Sequence, residues 1–152
     1  MKLKKADPES IRLAMDLAWR DHHHMREQTW RALQIEAALA VGLVGIDWQI
    51  QNINITVSAG VLVVIASIFG ILITLHHRRG EIRKFTHIIN YEEALGLHSK
   101  DLLPPATTSI PKSLRFIDIL NPWVQNTSAF ILRMHTAILI FAVLYIIGRV
   151  VM

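Results

Sequence analysis

Eight histidines, five of them in the runs His22-His23-His24 and His76-His77, are the side chains best suited to chemistry here, because imidazole binds metal ions and changes charge near neutral pH. Consecutive histidines on a helix point about 100° apart, so three in a row cannot all ligate one ion. Neither an HExxH pattern nor an i,i+4 histidine pair accompanies them. Two readings stand: solvated or headgroup-facing side chains, or a weak metal or pH-sensing site formed where His22, His23, His24 and His87 converge. Glu36 is the second candidate, a carboxylate inside an apolar stretch, and Arg133 and His135 stand at the entrance of another. A charge inside a membrane is costly, so Glu36 requires a partner or a watery cavity. A pair of Glu36 with Arg133 or His135 either tethers two helices or lines a polar pathway.

Other chemistries have less to stand on. There is no cysteine, which removes thiolate ligands, thiol nucleophiles and disulfides. Tyr91-Glu92-Glu93 could supply acid and base groups, but no nucleophile, oxyanion donor, Gly-rich phosphate loop or G-x-S-x-G elbow goes with them. A non-enzymatic role without a cofactor is expected, and no catalytic residue is assigned.

The elements that would hold these groups are apolar and long. Residues 53–75, INITVSAGVLVVIASIFGILITL, run 23 residues without a charge, enough at 1.5 Å per residue to span a ~30 Å hydrocarbon core. Similar stretches lie at about 33–46 and 134–152. The hydrophobic fraction of 52% and mean hydropathy of +0.36 fit a chain whose apolar faces meet lipid. The expected class is an all-α membrane protein with three transmembrane helices, the first two forming a long hairpin that extends into the cytoplasm. Its parts are a cytoplasmic amphipathic helix at 1–31, a transmembrane hairpin at 32–76 and a cytoplasmic extension at 77–96. A linker with a short interfacial helix follows at 97–128, and a third transmembrane helix at 129–152.

Local signals support the hairpin. Asp7-Pro8-Glu9 is a helix start, with a side-chain acceptor, a proline where its missing N–H costs nothing, and an acid near the positive helix end. No proline or glycine interrupts the chain from there to Gly42, so one helix of ~40 residues is expected. Gly96 is the expected stop of the second helix. Aligning the two membrane exits near Arg31 and His77 puts residues whose numbers sum to about 108 at equal height, which sets His22 level with His87.

Trp30 and Trp48 bracket the first span and Trp123 precedes the third, as interface anchors. Ala38 and Gly42 on the first span, and Ala66 and Gly70 on the second, allow close helix packing, within the hairpin or between copies. Lysines and arginines crowd the segment before the first span and the one after the second, and the loop between the spans has none. The positive-inside rule then gives a cytoplasmic N-terminus in the inner (plasma) membrane and a C-terminus outside. MKLKKADPES lacks the apolar region of a signal peptide, so Met1 is expected to be retained. The net charge of +4 lies beside the spans, which points to lipid headgroups and not to nucleic acid as the partner.

The order AWRDHHHMREQTWRALQIEAALAVGLVGIDW, a neutral loop, a second span and HHRRGEIRKFTHII resembles the SLATT family, two-span prokaryotic proteins linked to defence systems. The likeness covers about residues 8–95, and the third span departs from it. It implies an oligomeric effector or channel-type protein that permeabilises the inner membrane once a partner senses infection. A small accessory or scaffold subunit of a larger inner-membrane complex is the alternative, so the expected partners are lipids with either further copies or another protein.

Overall fold

Asp7 opens the first helix as the residues require: its Oδ2 accepts the Ser10 N–H at 3.3 Å, and Pro8 occupies the first turn. In a computed structural model of the chain, described over residues 7–97 and 127–151, helix α1 runs Pro8–Ile50, α2 Ile53–Ala94 and α3 Thr127–Val151. Of the linker expected at 97–128 with an interfacial helix, residues 98–126, Trp123 among them, lie outside the described residues, and Thr127 and Ser128 belong to α3. All three helices are long and apolar enough to cross a membrane. The 43 residues of α1 extend about 65 Å.

A two-residue turn joins α1 to α2. Gln51 takes a left-handed conformation (φ 48°) and donates its N–H to the Asp47 carbonyl at 3.0 Å. Asn52 caps α2, its Oδ1 accepting from the N–H groups of Asn54 and Ile55. At the far end Gly96 (φ 72°) stops α2: its N–H reaches the Glu93 carbonyl, and the Leu97 N–H reaches that of Glu92.

So tight a turn sets the hairpin register, because residues equidistant from 51 and 52 come level. Asp47 meets Thr56 and Leu43 approaches Gly60. His22 therefore comes level with Glu81, six residues short of His87, and packs against Glu81 and Phe85. The sequence expectation of His22 level with His87 is corrected on this point, since it took its register from membrane exits instead of the turn.

α3 lies parallel to α1, with Thr127 beside Arg26, Phe130 beside Trp30 and Tyr145 beside Asp47. Its described part starts at the level of Arg26, so among the described residues 8–25 of α1 and the end of α2 form a two-helix stalk about 27 Å long. Each helix contributes one narrow buried stripe at three- and four-residue spacing, the pattern of bundle packing. On α2 that stripe is Thr56, Gly60, Val63, Ser67, Gly70, Thr74 and Arg78. Outward faces carry large apolar side chains such as Val41, Leu62, Phe69 and Leu144, all more than half exposed.

Candidate functional site

The buried stripes are polar where a membrane bundle is usually apolar, and their polar groups form layers. Glu36 on α1 and His135 on α3 meet in the middle layer, Oε1 to Nδ1 at 2.7 Å, with side-chain exposures of 2% and 0%. Gly70 on α2 makes their room. A Cβ there would collide with Glu36 Oε1 and stand 2.6 Å from the His135 ring. The contact is close, yet no aligned hydrogen bond closes it, and Glu36 Oε2 and His135 Nε2 have no hydrogen-bond partner among the described residues. Ser67 Oγ and Thr74 Oγ1, one turn either side of Gly70, are likewise buried without a partner among them.

Toward the turn an apolar layer follows. Leu43, Val63 and Ala142 are buried against one another, with Ala59 and Ile138 packed around them. Beyond it Asp47 joins all three helices. Its carboxylate accepts from Thr56 Oγ1 at 2.6 Å and Tyr145 Oη at 2.7 Å, and pairs with Arg149 at 2.9 Å.

On the stalk side of Glu36, Thr74 and Ile131 line a cavity of about 20 Å³ that also touches His22, Arg26, His77 and Glu81. That volume holds about one water. Ser128 Oγ donates to Glu81 Oε2 at 3.1 Å, and the Arg26 guanidinium donates to Thr127 Oγ1 at 2.6 Å. Burial pushes the Glu81 carboxyl up from its ordinary range against the lowering pull of Ser128, Arg26 and Arg78. Burial also holds the His22 imidazole below its ordinary range, reinforced by Arg26, His23 and Lys84. The two groups are 4.0 Å apart, an ion pair only if both are charged, and burial works against both charges. Further along the stalk Lys84 pairs with Asp21, which keeps that carboxyl low.

Of the sequence candidates, Glu36 and His135 come together, whereas Arg133 is half-buried two residues from His135 and thus on another face of α3. His22 is buried among Trp19, Phe85 and Glu81. His23 and His24 are exposed, His24 bonded to Gln28, and His87 is exposed and stacked on Tyr91. Among the described residues no three His, Asp or Glu side chains are grouped to hold a metal ion. Gly70 is buried and Ala66 half-buried, but Ala38 and Gly42 face outward, and a Cβ on Gly42 would meet nothing within 4 Å. Trp30 packs on Phe130 and Trp48 is 84% exposed.

The Asp47 cluster, Gly60, Ser67, Thr74 and Glu81 were not singled out in the sequence. Asp47 and Arg149 did offer a signal, as opposite charges at the same end of two spans. Comparison with protein-family models, curated proteins and solved structures gives no match to this chain.

Proposed function

We propose that the chain is a non-enzymatic integral membrane protein of channel type, working as an oligomeric effector in the inner membrane, with the N-terminus in the cytoplasm and the C-terminus outside. The observation that carries this reading is the inward placement of polar groups. Asp47, Thr56, Glu36, Ser67, Thr74 and His135 all sit at buried helix contacts while apolar side chains face out. A polar seam of this kind supports a path through the apolar zone, and one apolar layer, Leu43, Val63 and Ala142, interrupts it. In a resting subunit that layer is the gate. The orientation is supported by Arg26, Arg31, Arg78, Arg79, Arg83 and Lys84 at the stalk end, against Arg149 alone at the turn end among the described residues. The defence setting rests on the resemblance drawn from the sequence.

Thinning the gate tests the reading without knowledge of a trigger. Leu43→Ala with Val63→Ala is expected to depolarise bacteria that express it, read with a membrane-potential dye, and to leak ions from proteoliposomes. An undisturbed potential, with the variant verified in the membrane, overturns the channel reading.

The accessory-subunit reading draws on Leu13 and Leu17, 61% and 56% exposed and one turn apart on the stalk. Apolar side chains at that spacing on a helix outside the lipid zone fit a protein contact. It predicts a second protein that co-purifies in fixed ratio and is lost in Leu13→Glu.

A further inference from the structure

We propose that Glu36 and His135 form a proton-binding site inside the spans, loaded and emptied from the stalk side through the cavity beside Thr74. The inference deepens the reading above; it rests on membrane insertion but not on conduction.

The contact itself calls for a proton. Two lone pairs facing each other at 2.7 Å repel, so either Glu36 Oε1 or His135 Nδ1 carries a hydrogen. With that proton kept between Oε1 and Nδ1, Nε2 is the imidazole atom left to take up or give away a second one. It has no partner among the described residues, and the same holds for Glu36 Oε2, Ser67 Oγ and Thr74 Oγ1. Two of these atoms belong to the buried pair and two lie one turn either side of Gly70, and a water or hydronium would restore to each a hydrogen bond that the described residues do not supply. Gly70 leaves the room that the pair itself fills.

A cavity lies on the stalk side of the pair. Thr74 is one turn from Gly70 and Ile131 one turn from His135, and both line the water-sized cavity that reaches His22, His77 and Glu81. Toward the turn the neighbouring layer is Leu43, Val63 and Ala142, which offers no side-chain hydrogen-bonding atom.

The charged and titratable groups facing the pair come from each helix. On α1 they are His22 and Arg26 at the cavity, Arg31, which is exposed and paired with Glu27, and Asp47 beyond the gate. On α2 they are His77 and Glu81 at the cavity and buried Arg78. On α3 they are half-buried Arg133, and Tyr145 and Arg149, both bound to Asp47. Arg26, Arg78 and Arg133 all stand on the stalk side. When the Nε2 proton leaves, a cavity water becomes hydronium and the charge of the pair falls by one; reloading reverses both changes.

The test uses the full chain in lipid nanodiscs with nitrogen-15 histidine, His135 being assigned by the spectrum of His135→Asn. Its ring resonances are expected to change reversibly with pH in the wild type, and the midpoint of that change to be displaced in Glu36→Gln, which lacks the carboxylate charge. Thr74→Leu fills the route and is expected to slow proton exchange at His135 several-fold. Infrared difference spectra of the wild type between the two ends of that change give a second reading that needs no variant to fold, and are expected to show imidazole changes. Resonances and spectra that do not change with pH overturn the proton site. A midpoint that follows sodium concentration at constant ionic strength overturns it in favour of an alkali-cation site. Unaltered exchange in Thr74→Leu overturns the stated access. Ion leak plays no part in these readings, so a failure of conduction is told apart from a failure of the site.

Discussion

Glu36 Oε1 and His135 Nδ1 stand 2.7 Å apart, both side chains buried, joining α1 directly to α3. Removing one member of such a pair leaves the other buried without compensation, at about 3 to 5 kcal/mol, whereas replacing both by apolar groups of similar volume is often neutral. Glu36→Ala and His135→Ala are therefore each expected to lower bundle stability by about that much. Glu36→Met with His135→Leu is expected to stay near the wild type. Unfolding in mild detergent across this cycle measures the coupling. Additive losses would show that the two side chains act independently.

Gly70 separates packing from exposure among the glycines. Its missing Cβ is the space that Glu36 and His135 occupy, so Gly70→Ala forces the pair apart, and overpacking of this kind costs about 1 to 3 kcal/mol. Gly42→Ala and Gly45→Ala meet nothing within 4 Å and are expected to leave the monomer's stability unchanged or slightly raised, as alanine is the better helix former. Should Gly42→Leu lower the oligomer mass in detergent while the monomer stays stable, the outward face of α1 is where copies meet.

The helices were legible because their signals are local: the Asp7-Pro8 cap, uncharged runs long enough for a bilayer, and Gly96 past the last turn. Gly80 lies within α2, where its bare backbone leaves room for the Met25 side chain. What the chain did not disclose is which face of each helix meets which neighbour. Helical spacing relates Gly42 to Ala38 but does not say that both look outward, and Gly60, equally plain in sequence, turned out to sit under Ile146. Register failed for a related reason. It is set by the two-residue turn at Gln51 and Asn52, whereas the polar loop could have been read as longer by several residues. Glu36 could be recognised as needing a partner, but the choice of His135 over Arg133 depends on the rotation of α3, which two polar residues on different faces leave open.

Asp47 is where α3 is held at the turn end, through Tyr145 and Arg149. Asp47→Asn keeps the size of the side chain but removes the charge that Arg149 pairs with and one of the acceptor oxygens. Backbone hydrogen exchange over residues 143–151 is expected to quicken in Asp47→Asn and more so in Asp47→Ala, with residues 15–25 of the stalk unaffected. Uniform quickening along all three helices would mean that the cluster supports the whole bundle instead of this end.

His22 makes the stalk sensitive to pH, and the sign follows from its depressed value. The fold favours neutral His22, so its contribution is fully present above the ordinary imidazole range and is lost as pH falls through the lowered value. Glu81 has the opposite slope. Its value is raised, so its contribution is present below the ordinary carboxylate range and lost as pH climbs through the raised value. Acidification below the ordinary imidazole range is therefore expected to work against the neutral His22 that the fold favours and to loosen the stalk, read as faster hydrogen exchange over residues 15–25. His22→Phe keeps ring contact with Phe85, 4.9 Å away, and is expected to flatten that response. Glu81→Gln retains an acceptor for Ser128 without a buried charge, so it is expected to stabilise the stalk by about 1 kcal/mol at neutral pH and by less toward the carboxylate range. A stalk equally protected at both ends of the acid range in the wild type would place the sensitivity elsewhere and remove His22 from the argument.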